Sequence, residues 1–138
     1  MRIVRTVVTA LVLALVGAAG VSVAPAGADR ALPKRLITEE PPGDHQVSYN
    51  AFKLKGKVEE PQIDGTVLPY AERKVFIQKK ACRKCAWRTN KLVRTDEAGK
   101  YKTRIYAPER GRWKWRVKVK ASGGYGTTKG TAWTLYFR

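Results

Sequence analysis

The sequence predicts an all-β protein, an antiparallel sandwich of about seven strands. Three observations carry this. The segment Arg112–Ala121 reads RWKWRVKVKA, with Trp113, Trp115, Val117, Val119 and Ala121 at odd positions and Arg112, Lys114, Arg116, Lys118 and Lys120 at even ones. Side chains alternate across a strand, so this segment has one apolar and one cationic face, whereas a helix would spread both classes around its axis. Short alternating runs also recur from Gln46 to Phe137, separated by Gly, Pro and Asp turn signals. Finally, no stretch of helical period reaches ten residues, and the connections are too short for the crossovers that parallel strands need.

The elements follow in order. Arg2 and Arg5 precede an apolar run, VVTALVLALV over 7–16, and Ala26-Gly27-Ala28 supplies a small-residue cleavage pattern. This is the order of parts in a secretory signal peptide, residues 1–28, cleaved after Ala28. A membrane anchor is the weaker reading, because Gly17, Gly20, Pro25 and Gly27 break the second half of the apolar stretch. No lipobox cysteine follows. The expected mature chain is exported and extracellular. It retains 26 basic and 11 acidic residues, a net charge of +15 against +17 for the whole chain. Such a field draws a protein to anionic partners.

Residues 29–45, rich in Pro and mixed charge, read as a flexible N-terminal arm. His45, the single histidine, has no ligand constellation around it and reads as a surface residue. The sandwich is expected over 46–138. Val47 and Tyr49 alternate, the phase slips at Asn50-Ala51, and Phe52, Leu54, Gly56 and Val58 resume it, as in a bulge or a strand changing sheets. Glu59–Tyr70, with Pro61, Asp64-Gly65 and Pro69, reads as a loop. Strands are expected at Lys74–Ala81, Ala86–Arg94, Lys100–Tyr106, Arg112–Ala121 and Thr131–Phe137, with a turn at Thr95–Gly99 and a break at Ser122–Gly126. Trp87, Trp113, Trp115 and Trp133 are the expected heart of the core.

Several motifs bear on chemistry. Cys82 and Cys85 form a C-x-x-C between two strands rather than at a helix start, which favours a structural disulfide; Arg83 and Lys84 would stabilise a thiolate, which keeps thiol–disulfide exchange as a minor alternative. No second ligand pair accompanies them, so no metal is expected, and no cofactor motif is present. The carboxylates are scattered and no nucleophile has a partnered base, so no enzyme is expected and no catalytic residue is assigned. The cations are the remaining signal. Lys102 and Arg104 alternate with Tyr101, Thr103 and Ile105, and the APERG connection, 107–111, would fold this strand against Arg112–Lys120 as a hairpin with one cationic face. Arg83 and Lys84 add to it at a neighbouring tip. The face is either simple excess charge or a polyanion site.

The runs TDEAGKY at Thr95–Tyr101, AP at Ala107-Pro108, GRWKWRVKV at Gly111–Val119 and ASGGY at Ala121–Tyr125, with KGKV at Lys55–Val58 and VFIQKK at Val75–Lys80, carry a resemblance. This pattern is similar to that of secreted actinobacterial immunoglobulin-like sandwiches, of the bacterial Ig-like or prealbumin and carboxypeptidase-regulatory type. It implies an envelope-associated or accessory module rather than an enzyme. The strong positive charge departs from many such domains. The expectation is therefore a secreted cationic binding module, meeting an anionic cell-wall polymer, an acidic polysaccharide or lipid headgroups. The absence of a base-reading motif argues against sequence-specific nucleic acid. The alternative is a structural or protein-interaction domain whose charge is incidental.

Overall fold

Residues 31–48, 50–106 and 110–137 are described by a computed structural model, and their apolar alternation is realised in two five-stranded antiparallel sheets. The first sheet is built on β3 (Ala51–Pro61). Along one edge lie β1 (Leu36–Glu40) and β2 (Gln46–Ser48); along the other lie β4 (Val67–Pro69) and β7 (Lys100–Tyr106). The second sheet runs β10 (Trp133–Phe137), β8 (Gly111–Val119), β5 (Lys74–Lys80), β6 (Arg88–Arg94), with β9 (Thr128–Lys129) beside β8. One 3-10 turn, Pro42–His45, is the helical content of the described residues. The expected all-β antiparallel sandwich is thus what forms. The signal-peptide reading of 1–28 lies outside the described residues.

The core lies between the sheets. Phe52, Leu54, Val58, Tyr101 and Ile105 of the first meet Val75, Ile77, Trp115, Val117, Val119, Leu135 and Phe137 of the second. Phe52 and Phe137 pack edge to face across the interface at 5.1 Å, a geometry contributing about 0.5–1.5 kcal/mol beyond burial. Polar staples hold the same two layers. The buried Arg35 guanidinium sits between the rings of Tyr70 and Tyr125, pairs with Glu60 at 3.2 Å, and donates to the Lys120 and Ser122 carbonyls at 3.1 and 2.8 Å. Lys91 of β6 donates to Thr103 Oγ1 and the Arg104 carbonyl of β7 at 2.8 and 2.5 Å. Glu39 of β1 accepts from the Thr131 backbone N–H at 2.8 Å and the Tyr101 hydroxyl at 3.2 Å. Gly56 permits that last contact: a side chain there would collide with the Tyr101 hydroxyl.

Five expectations need correction. Of the expected arm 29–45, the described part, 31–45, is not a flexible arm, since Leu36–Glu40 pairs with β3 along its length and Arg35 is buried. Its pattern was hidden because the inward positions are Ile37 and Glu39, one of them an acid satisfied across the sandwich. The phase slip near Asn50 marks a chain reversal rather than a strand changing sheets: β2 folds back on β3 with Gln46 opposite Phe52, and the pairing shifts register between Gln46 and Ser48 as at a bulge. Glu59–Tyr70 is a hairpin, in which Asp64 Oδ1 accepts from the Thr66 N–H at 2.9 Å and Gln62 bonds Thr66 around Gly65. β7 and β8 do not form a hairpin: β7 pairs with β3 and β8 with β5, so the chain changes sheet between them. Trp87 is not in the core. Ile77 is opposite Lys91 but Gln78 is opposite Thr89, so Asn90 is an extra residue in β6. That bulge reverses the parity, leaving Val93 inward and turning Thr89 and Trp87 outward. Of the other tryptophans, Trp115 is fully buried, and Trp113 and Trp133 pack at the core's margin.

The TDEAG turn forms as expected. Asp96 accepts from the Ala98 and Lys100 N–H groups, and Gly99 adopts a positive φ of 75° that glycine alone takes without strain. Thr95 anchors it, donating to the Tyr70 carbonyl at 2.5 Å and accepting from the Arg73 N–H at 3.0 Å.

Candidate polyanion interface

The outer face of the second sheet is set by register. Val75, Ile77, Trp115, Val117 and Val119 are buried, so their neighbours face away. β8 presents Arg112, Lys114, Arg116 and Lys118, and Lys120 continues the row. β5 presents Lys74, Phe76, Gln78 and Lys80; Arg94 of β6 lies opposite Lys74, and Lys129 of β9 opposite Lys118. No Asp or Glu occurs in β5, β6, β8, β9 or β10, nor in the connecting segments 81–87, 120–127 and 130–132. Three directly opposed pairs on this face are cation against cation: Lys74 with Arg94, Lys80 with Lys114, and Lys118 with Lys129. Such pairs repel. The ion pairs among the described residues join Arg35, Arg73, Lys55 and Lys57 to Glu60, Glu40 and Glu59, and none reaches this sheet.

Aromatic rings support these cations instead. Arg116 lies over Trp87 at 4.1 Å, with Lys80 on the same ring at 4.9 Å; Lys120 lies over Phe76 at 4.3 Å and Arg112 over Tyr136 at 4.8 Å. Partial burial lowers the Arg116 pKa, and its Nε donates to Gln78 Oε1 at 2.9 Å. A charged head resting on a ring is already partly ordered, so it loses less entropy when it meets an anion. The bulge that expelled Trp87 from the core therefore supplies the ring beneath Arg116.

At one end of the face, Cys82 and Cys85 are joined by a disulfide closing the β5–β6 connection, where Lys80 Nζ donates to the Arg83 carbonyl at 3.0 Å. Arg83 and Lys84 are exposed between the two cysteines. Lys102 and Arg104 are elsewhere. They face outward from the first sheet, opposite Lys55 and Lys53, and cannot join the β8 row. The grouping expected from sequence thus divides: Arg112, Lys114, Arg116, Lys118 and Lys120 stay together, Arg83 and Lys84 adjoin them, and Lys102 and Arg104 leave. Lys74, Lys80, Arg94 and Lys129 enter. The signal for Lys74 and Lys80 was present, since they alternate with Val75 and Ile77; Lys129 depended on pairing that no local pattern shows.

The first sheet carries a concavity of about 730 Å3, lined in part by Glu39, Tyr101, Lys55 and Lys102. Its one acid with a raised pKa is Glu39, pushed up by burial and partly held down by the Thr131 N–H, the Tyr101 hydroxyl and the Trp133 indole N–H, although that indole lacks a partner at good hydrogen-bonding geometry. Both Glu39 oxygens are engaged, Oε1 with Tyr101 of the same sheet and Oε2 with the Thr131 N–H across the sandwich, so the group serves packing. His45 is 2.7 Å from Glu40 at the surface. Among the described residues no cluster of His, Cys, Asp and Glu could hold a metal, and no helix is long and apolar enough to cross a membrane.

Comparison of the chain with known protein families, with curated proteins and with solved structures finds no match.

Proposed function

We propose that this chain is an exported, immunoglobulin-like binding module that holds an anionic polymer of the cell envelope or extracellular matrix on the outer face of its second sheet. The observation that carries the reading is the absence of any acid from that sheet while three cation pairs oppose one another across it. A polyanion relieves this repulsion and releases its own counterions, and both effects favour binding at low salt. The experiment is retention on a heparin or phosphocellulose column with a salt gradient. Retention that moderate salt reverses, and that weakens in a combined Arg112→Gln, Arg116→Gln, Lys118→Gln variant, is expected. Absent or salt-insensitive retention overturns the reading.

A protein-interaction role has its own support in the exposed apolar residues Ile63, Val67 and Leu68 of the β3–β4 hairpin. A partner that co-purifies through high salt and is lost on Leu68→Ser would favour it. Thiol–disulfide exchange by Cys82 and Cys85 is the minor alternative, and insulin reduction tests it.

A further inference from the structure

The proposed polyanion reading does not say which polymer the face fits, and the spacing of its charges bears on that. Outward side chains on one strand repeat every two residues, about 6.7 Å. Arg112, Lys114, Arg116, Lys118 and Lys120 make such a row without interruption. The row is doubled at alternate positions, where Lys80 stands opposite Lys114 and Lys129 opposite Lys118. Between these doubled positions is Arg116, which offers a planar fork of donors. Three successive anions at this spacing would each meet either a lysine pair or the guanidinium.

The spacing selects among polyanions by their backbone. An extended chain advances about 7 Å over six bonds, as two peptide residues do. A phosphodiester polymer with three carbons between phosphates has six backbone bonds per repeat, so one phosphate falls on each outward position. Inorganic polyphosphate places its charges at about half that spacing, and each strand of duplex DNA winds its six-bond repeat into a helix that rises only about 3.4 Å per phosphate along the axis, so its phosphates do not lie along a straight strand. A single-stranded nucleic acid shares the six-bond repeat, but proteins that hold it stack its bases on open aromatic rings. Here Arg116 and Lys80 lie over Trp87, Lys120 over Phe76 and Arg112 over Tyr136, so the rings serve the cations.

We infer that the second sheet is matched to an extended polyol phosphate, a chain of phosphodiesters linked through three-carbon units without bases, lying along β8. This rests on the polyanion reading and narrows it. The test uses calorimetric titration of the full mature chain at one fixed salt concentration, with four probes of equal phosphate or carboxylate number: poly(glycerol phosphate) of about ten repeats, oligo-dT, inorganic polyphosphate and polyglutamate. The expected result is that poly(glycerol phosphate) binds about tenfold or more tightly than the other three. Lys114→Gln and Lys118→Gln should each reduce the slope of log K against log salt by about one and remove that preference, while Lys114→Arg retains it. Lys53→Gln with Lys102→Gln on the opposite sheet should leave the preference intact.

Equal binding of all four probes, or an order that follows charge density alone, overturns the inference and leaves the polyanion reading standing. Tighter oligo-dT binding overturns it in favour of nucleic acid. Loss of binding in the Lys53→Gln, Lys102→Gln variant overturns it by moving the site to the first sheet. No binding of any probe removes both readings.

Discussion

The two sheets handle charge differently. In the first, acids meet cations: Glu40 meets Lys55, Glu59 meets Lys57, and Glu60 meets Arg35 and Arg73. In the second there is no acid to meet, and cations are spread over Trp87, Phe76 and Tyr136. The first sheet's charges serve the fold, most plainly through Arg35. Opposed cations occur on both sheets, Lys53 with Arg104, Lys55 with Lys102 and Lys57 with Lys100 on the first, but on the second no acid stands on the sheet's own strands to offset them, a cost that folding does not explain. Their inward faces do the same work in both sheets, so the difference lies in what each sheet shows to solvent.

The largest test separates two tryptophans of the second sheet. Trp115→Ala should cost about 3–5 kcal/mol by denaturant unfolding, because a fully buried ring is removed from the core. Trp87→Ala should cost about 1 kcal/mol or less, the scale of a surface cation–π contact, while weakening polyanion retention by freeing Arg116. Equal costs would place Trp87 back in the core and collapse the distinction between the faces. Next comes Arg35→Met, which leaves Glu60 without its buried partner and two carbonyls without a donor; a loss of about 3 kcal/mol is expected. A neutral result would mean that charge does not staple the first sheet to the second.

A smaller effect concerns pH. Burial raises the Glu39 pKa, so the folded chain holds that proton more tightly than the unfolded chain does. The contribution is present at low pH and is lost as pH rises from the ordinary carboxylate value of 4.5 through the folded pKa, above which it is constant. Comparing unfolding of wild type and Glu39→Gln across this window should show the variant lacking that downward slope; identical profiles would refute the assignment. The smallest effects are at single surface charges. Lys118→Gln should raise stability slightly at low salt, by about 0.5 kcal/mol or less, since Lys129 opposes it. Glu40→Gln should lower it, since Glu40 lies 3.5 Å from Lys55 and offsets the repulsion between Lys55 and the opposite Lys102. Both differences should shrink in high salt, and a shared sign would erase the contrast between the sheets.

The alternation in Arg112–Ala121 was enough to define β8 and both of its faces, because period-two patterning is a local property. The same holds for the inward residues of β5, β7 and β10, for the TDEAG turn, and for the cysteine pair at a strand connection. These depend on neighbours within a few positions. Pairing across the chain is not local. β1 was invisible because its inward Glu39 is satisfied by Thr131 and Tyr101, residues remote in sequence. Lys102 and Arg104 left the expected site because β7 crosses to β3 rather than folding onto β8. Trp87 changed faces because one extra residue at Asn90 reverses every side chain before it. By itself the sequence determined that the chain would alternate and where each face would be apolar; only the tertiary structure decided which cationic faces adjoin, because that is a matter of strand pairing between residues far apart in the chain.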